Sequence, residues 1–293
     1  MAQVLVQLFI DGLGMGLIYV LLAVGFILIM SIPRIFFLVY GEVYMLGAFI
    51  VWFLMLVLKL PFFFALFLAV SATATFGGLC YRLIFLYVQY KEQQFLTNVV
   101  AAIGLTMIAG QGCLLVFGTE SRGIPSVFPG MLNVVGLTIS VERVVLIALS
   151  LAVALSLFFF LQKTNTGLAM RAVSFRADVA ALQGVNPTMT YLLTTAIGCA
   201  IAGFAGGVMG PVFAVSHEMK SVTMTVFLVI MLGGMNSMIG AVFGGLILGQ
   251  TLSYGYYFIG TGPAQIFLFI LIGIMVFFKP GGLFAKVQAE LQI

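Results

Sequence analysis

Few side chains in this sequence could do chemistry, and two of them are acids beside apolar stretches. Asp11 and Glu42 each border a long run of apolar residues. Ionisable residues at membrane depth are candidate proton relays or ligands in transporters. We expect Asp11 to be solvated or to cap a helix. Glu42 follows Gly41 at a break in the apolar pattern, where a carboxylate stabilises a helix N-terminus, and a relay or ligand role is the alternative.

Metal, redox and nucleotide chemistry are not predicted for this chain. Cys80, Cys113 and Cys199 are far apart in apolar stretches, and this spacing fits neither a metal site nor a redox pair. We expect them to be small buried side chains. The single histidine, His217, has no partners at metal-ligand spacing. No lysine follows a glycine, so the Gly-x-x-x-x-Gly-Lys phosphate loop is missing, and neither a catalytic constellation nor a cofactor is expected in this chain.

Residues 163–187 combine charge with an apolar periodicity. Leucine, alanine, phenylalanine and valine recur there at steps of three and four, which places them on one face of a helix: Leu168, Ala172, Phe175, Val179 and Leu182. The opposite side carries Arg171, Ser174 and Asp178. Thr166 is the predicted N-cap and Gly184 the predicted stop. A helix over residues 168–183 could lie on a membrane surface or dock in the groove of a soluble partner.

The elements that must position these residues are membrane spans. Of 293 residues, 63% are hydrophobic and only 7% are charged, whereas a soluble domain carries about 25% charged residues. The composition therefore excludes a soluble enzyme, and the scattered basic residues exclude a nucleic-acid binder. It predicts an all-α polytopic membrane protein, in which most of the surface faces lipid or another helix.

Runs without charge predict the individual spans, since about 20 apolar residues cross a bilayer. Glycine-rich breaks divide the longest run, and its first piece is too short to cross alone. The predicted pieces are 8–30, 43–58, 62–81, 95–117, 144–162, a span from Pro187 to about 210, and then 222–233, 238–258 and 264–278. They predict eight or nine transmembrane helices, some of them broken, in one transmembrane domain over residues 1–293.

Basic residues in short loops predict the orientation. They place residues 163–187, the loop around Arg82 and Lys91, and the C-terminus in the cytoplasm, with residues 118–141 and 212–221 outside. The two halves are weakly alike, since each has a span, a polar break and a Gly-rich piece. With one break inside and the other outside, this predicts an inverted repeat. Small residues at a spacing of four predict close helix packing, as in Gly12 and Gly16 or in Gly198, Ala202, Gly206 and Gly210.

Several motifs then resemble one family over nearly the whole chain. Thr166-Gly167-Leu168-Ala169-Met170-Arg171-Ala172, followed by Ala180-Ala181-Leu182-Gln183-Gly184-Val185-Asn186, resembles the cytoplasmic signature of branched-chain amino acid ABC transporter permeases of the LivH type. Asp11-Gly12-Leu13, Gly41-Glu42 with Tyr44-Met45-Leu46-Gly47-Ala48, Leu232-Gly233-Gly234, and the terminal Phe278-Lys279-Pro280-Gly281-Gly282-Leu283-Phe284 agree in order.

The resemblance implies an inner-membrane permease subunit of a bacterial ABC importer, forming half of a path for branched-chain or other hydrophobic amino acids. It implies a second permease subunit, normally a different but related chain, two cytoplasmic ATPase subunits that hold ATP and Mg²⁺, and a periplasmic substrate-binding protein. The residues expected to contact the ATPase are Leu168, Arg171, Phe175, Arg176, Asp178 and Val179.

The sequence departs from the family where polar groups are usual. Aromatic or apolar residues stand before the Gly-Glu pair, among them Tyr40, and Thr225 aligns where many members have lysine. The residues expected to line the translocation path are Tyr40, Glu42, Thr225 and Asn236. A related small substrate such as urea, an amide or an organic acid is one alternative. An ion-coupled secondary transporter is another, although two acids at span ends make a poor proton pathway.

Overall fold

The computed structural model describes residues 2–89, 94–128, 130–134, 137–234, 237–278 and 282. Helices dominate these residues, as the composition predicts, and six helices are long and apolar enough to cross a membrane by length and composition: Val4–Ser31, Phe62–Val88, Phe95–Phe117, Val141–Lys163, Pro187–Met209 and Met238–Phe258. The all-α polytopic fold is confirmed.

Each apolar piece predicted from the sequence corresponds to a helix. These are α1 (Ala2–Ser31), α2 (Tyr40–Leu56), α3 (Phe62–Cys80), α5 (Gln94–Phe117), α6 (Val141–Lys163), α9 (Pro187–Met209), α10 (Val222–Gly233), α11 (Met238–Phe258) and α12 (Thr261–Phe278). A π-helical segment (Tyr81–Phe85) and α4 (Leu86–Val88) extend α3, and α7 (Asn165–Phe175) and α8 (Ala177–Leu182) join α6 to α9. The number of crossings and the inverted repeat stay predictions.

The chain forms two compact units, and the single permease domain over residues 1–293 stays a prediction. The first unit draws on the described residues of Met1–Ile27, Phe128–Leu151 and Met224–Ile293. Its centre is a close crossing of α1 and α11, because a Cβ on Gly249 would overlap the backbone of Gly12 and Gly16. The small-residue spacing thus serves packing inside this chain.

An ion pair joins two helices of the first unit. Asp11 bonds through its carboxylate to the guanidinium of Arg143 on α6. We expected Asp11 at a span end, solvated or capping. That expectation is wrong, because α1 already begins at Ala2 and Asp11 therefore lies inside the helix. The neighbouring strands β1 (Met131–Val134) and β2 (Leu137–Ser140) form a short antiparallel hairpin that the turn-rich sequence did not predict.

The second unit comprises Leu28–Val127 and Ala152–Thr223. Helix α9 forms its core with α2 and α3, and glycines bring α9 close to each of them. A Cβ on Gly47 of α2 would overlap the backbone of Gly203 on α9, and one on Gly77 of α3 would overlap Cys199. The backbones of α2 and α9 therefore meet at Gly47 with no side chain between them, and α3 packs closely on the Cys199 side chain of α9.

The loop after α5 is fixed to this core. The backbone of Arg122 pairs with that of Val215 in both directions, each N–O distance being 2.8 Å. The guanidinium of Arg122 lies 4.2 Å from the ring centroid of Trp52 on α2, within the range of a cation–π interaction. It also donates to the carbonyl of Phe117 at 2.7 Å. These bonds hold two loops of the second unit together.

Candidate functional site

The charged segment between α6 and α9, which we call the elbow (residues 164–186), begins with a cap. The backbone N–H of Gly167 donates to Oγ1 of Thr164 at 3.0 Å, and Thr164 has the extended backbone typical of an N-cap. The prediction that Thr166 caps the helix is therefore wrong. The helix starts two residues earlier than the periodicity indicated, and Thr166 falls in its first turn.

The elbow contains two helices rather than the one predicted over residues 168–183. Arg176 is extended, with φ −151° and ψ 104°, and it separates α7 from α8. Both helices contact α9, and each buries a narrow side there, with Met170 and Val173 on α7 and Ala180 on α8. Packing against α9 overrides the continuous apolar periodicity, which carries no signal for a break at Arg176.

The predicted apolar face of the elbow is exposed. Phe175 is 81% exposed and Leu182 is 85% exposed, while Leu168 and Val179 are 59% and 47% exposed. Arg171, Arg176 and Asp178 are exposed beside them. Arg171 reaches back to the carbonyl of Gln162 at 3.4 Å. The structure therefore brings the six predicted coupling residues to one accessible segment, in which the apolar side chains lie among charged ones.

Both ends of the elbow are tied to long helices. A Cβ on Gly167 would lie 2.5 Å from the carbonyl oxygens of Phe160 and Leu161 at the end of α6, so only glycine fits this close turn. At the other end Gly184 has φ +84°, which confirms it as the stop. The side chain of Asn186 then caps α9 by accepting from the N–H of Met189 at 3.2 Å.

A second cluster lies where α2 begins, and it brings Gly41 of the first polar break onto Lys220 of the second. The prediction of one break inside and the other outside is wrong at this point, because the two segments are in direct contact. Gly41 packs so closely on the 3₁₀ turn His217–Ser221 that a Cβ would overlap the carbonyl of Lys220 and the hydroxyl of Thr223. Glu42 is only 5% exposed. Its Oε2 has no hydrogen-bond partner among the residues that the structure describes. Gly110 and Cys113 of α5 lie beside it.

The 3₁₀ turn holds an internal hydrogen bond that involves the single histidine. Nζ of Lys220 lies 2.7 Å from Nε2 of His217. Partial burial lowers the pKa of His217, and the ammonium of Lys220 lowers it further. The lowered pKa favours the neutral ring, whose Nε2 can accept the hydrogen bond of Lys220. Sequence reasoning did not select Lys220, although it is the one basic residue in the polar break over residues 212–221.

The four residues predicted to line the translocation path lie in different environments. Tyr40 is fully buried at the first turn of α2, and Thr225 is half-buried in α10. Asn236 lies outside the described residues. The structure brings Tyr40 and Glu42 together on α2, and the roles of all four residues stay predictions.

A polar network between the π-helical segment and the loop after α1 was missed. The hydroxyl of Tyr81, in the π-helical segment, donates to Oε1 of Gln89 at 3.0 Å. The amide of Gln89 donates to the carbonyl of Pro33 at 3.2 Å, next to Arg34, which has φ +56°. Such π segments are frequent at functional sites. The sequence offers only the glutamine at the span end as a signal.

Within the described residues, no group of three or more His, Cys, Asp and Glu could hold a metal ion. The three cysteines are buried, as expected, and none forms a disulfide.

Comparison with known proteins agrees with the sequence motifs. The chain is 26% identical over 304 residues to the high-affinity branched-chain amino acid transport system permease protein BraD of Pseudomonas aeruginosa, and the alignment covers 97% of both chains. It is also 26% identical to the permease proteins LivH of Salmonella typhimurium and Escherichia coli, over 97% of this chain and 96% of each relative. No solved structure matches the chain at a significant level.

The relatives and the apolar helices agree that the chain is a multi-pass protein of the bacterial inner membrane. A family model described as the branched-chain amino acid transport system / permease component matches residues 8–278. This match covers every helix from α2 to α12 and most of α1. The chain therefore belongs to the permease family of branched-chain amino acid transport systems.

Proposed function

We propose that this chain forms half of the translocation path of an ABC importer for branched-chain or other hydrophobic amino acids. A second, related permease subunit forms the other half, and two cytoplasmic ATPase subunits hydrolyse ATP. A periplasmic binding protein delivers the substrate. This subunit is not an enzyme and holds no nucleotide of its own, in keeping with its lack of a phosphate loop. Family membership and the relatives' names support this assignment.

The observation that carries the coupling role is the exposed apolar face of the elbow. Phe175 and Leu182 are among the most exposed apolar side chains of the described residues, yet they belong to the charged segment rather than to a span. A short helix with such a face suits a groove in a soluble protein, where its apolar side chains fill pockets. Arg171 and Asp178 at the rim would then set register more than affinity.

The attachment of the elbow to α6 and α9 supports the transmission of force from the ATPase to the membrane helices. Gly167 packs directly against the last turn of α6. The side chain of Asn186 caps α9, which begins shortly after α8 ends. Helix α9 is in close contact with α2 through Gly206, whose Cβ would overlap the carbonyl of Tyr44. Because close-packed interiors transmit displacement rather than absorb it, a push on the elbow moves α9 and α2 with it.

An ion-coupled secondary transporter has one observation in its favour, the buried acid Glu42. A proton relay needs a series of ionisable groups, and the other candidate, Asp11, is held in an ion pair with Arg143. This arrangement favours the ATP-driven importer.

Reconstitution tests the proposal. The chain is expressed with the subunits that co-purify with it, and the complex is placed in liposomes with ATP on the elbow side. We expect leucine uptake that requires ATP and the binding protein and that continues when an ionophore abolishes ion gradients. Uptake that follows an ion gradient without ATP would establish the secondary transporter instead. ATP-driven uptake of urea or an amide, with none of leucine, would reassign the substrate.

A further inference from the structure

The second cluster contains a buried carboxyl group with an unsatisfied oxygen. Only 5% of the surface of Glu42 is exposed, and its Oε2 has no hydrogen-bond partner among the described residues. A buried carboxylate is costly unless it is paired and hydrogen-bonded. Its neighbours Gly110 and Cys113 on α5 supply no positive charge. An ammonium group that reached Oε2 would supply the missing hydrogen-bond partner.

Lys220 is the nearby cation whose charge acts on Glu42, but its hydrogen bond goes to His217. The backbone of the turn cannot shift to change this, because the carbonyl of Lys220 presses on Gly41. Only the flexible lysine side chain could swing between the two acceptors. In the structure it lies against His217, and no other group of the described residues bonds to Oε2 of Glu42.

We propose that Oε2 of Glu42 accepts a hydrogen bond from the ammonium group of the transported amino acid, and that Lys220, once released from His217, competes for the same oxygen. This inference rests on the proposed function and narrows it. An ammonium forms a charge-assisted hydrogen bond to a carboxylate, which is the strong kind. Urea, a neutral amide and an organic acid carry no such cation. The cargo chemistry that fits this oxygen is therefore an α-amino acid, and not the other small substrates of related permeases.

Infrared difference spectroscopy on the intact complex tests this directly. Leucine is added to the complex in nanodiscs, with 4-methylpentanoate, which lacks the ammonium, as the control ligand. We expect leucine alone to change a carboxylate band. Glu42→Gln should remove this change and lower ATP-driven leucine uptake about tenfold, as expected for the loss of a charge-assisted hydrogen bond. Glu42→Asp should restore part of both signals.

Two further variants separate a ligand role from a structural one. Glu218→Gln removes an exposed carboxylate on the same turn and should leave the band and the uptake unchanged. Lys220→Met removes the competitor, so the leucine-induced band should reach half-amplitude at a lower leucine concentration. A misfolded complex would not respond to a lower leucine concentration, so Lys220→Met tests the proposal even if Glu42→Gln fails to assemble.

The outcomes are distinct. A leucine-induced band that persists in Glu42→Gln, or an unchanged half-amplitude in Lys220→Met, overturns the inference while leaving the importer intact. A wild-type complex that never takes up leucine with ATP contradicts the proposed function itself.

Discussion

Single glycines determine how closely the helices of the second unit approach. Gly47 on α2 faces Gly203 on α9, and a Cβ on Gly203 would in turn overlap Thr73 on α3. The sequence predicted close packing from small residues at a spacing of four, but Gly47 and Gly203 lie outside the stripes that it indicated. It could not predict which helices they join, because that depends on partners far apart in the chain.

We predict that Gly47→Val destabilises the protein by about 2 kcal/mol or more, because overpacking forces two backbones apart. The midpoint of thermal unfolding in detergent should fall accordingly. Gly112→Val on α5 is the matched control, since nothing lies within 4 Å of its Cβ position. Equal melting temperatures for the two variants would show that the contact of α2 with α9 is looser than described.

A second residue prediction concerns His217, the only histidine. Its folded pKa is lowered by partial burial and by Lys220, so the neutral ring is favoured on folding. The resulting stabilisation is present above the ordinary pKa of about 6.5. It is lost as the pH falls through the lower folded value. An NMR titration of labelled histidine should therefore show a midpoint below about 6.5, which Lys220→Met moves upward. An upward shift from the ordinary value in the wild type would contradict this contact.

At the scale of elements, the sequence predicted helices well and their joints poorly. The apolar piece over residues 238–258 is α11 to the residue, because a charge-free run between glycine-rich breaks determines a span. The break at Arg176 and the cap at Thr164 were missed. The cap at Thr164 is a local hydrogen bond to the N–H of Gly167, and the sequence offered Thr166 as a competing cap. The break at Arg176 depends on packing of the elbow against α9, which local periodicity does not contain. The meeting of Gly41 with the 3₁₀ turn was missed for the same reason.

The joint between α6 and α7 gives an element-scale prediction. In Gly167→Ala the added Cβ would lie 2.5 Å from two backbone carbonyls, so the elbow must shift relative to α6. We expect the ATPase to stay bound, because the apolar face is unchanged, while substrate-stimulated ATP hydrolysis falls severalfold. Gly104→Ala on α5 is the control, with nothing within 4 Å of its Cβ position. Full coupling in Gly167→Ala would mean that force does not pass through this joint.

For the whole molecule, the orientation is a prediction that labelling can decide. Single cysteines at Ser126 and Ser216 in a cysteine-free background should react with an impermeant thiol reagent from outside, and one at Ser174 only from inside. The native cysteines are buried, so replacing them should disturb the surface little. Reaction of position 174 from outside would invert the orientation and move the elbow away from any cytoplasmic ATPase.

The central claim is that a separate ATPase drives this permease through the elbow. Phe175 is 81% exposed, so its replacement should spare folding of the chain. Truncation of a central apolar anchor typically costs about 2 kcal/mol, or about thirtyfold in affinity. Arg171→Ala at the rim should cost much less.

The most direct measurement is the affinity of the purified ATPase for the permease carrying Phe175→Ala or Phe175→Asp, together with substrate-stimulated ATP hydrolysis. We predict loss of about thirtyfold or more in affinity and a parallel loss of hydrolysis, with wild-type thermal stability of the permease itself. Wild-type affinity and coupling in both variants would show that the elbow is only a connector and would contradict its role in ATPase coupling.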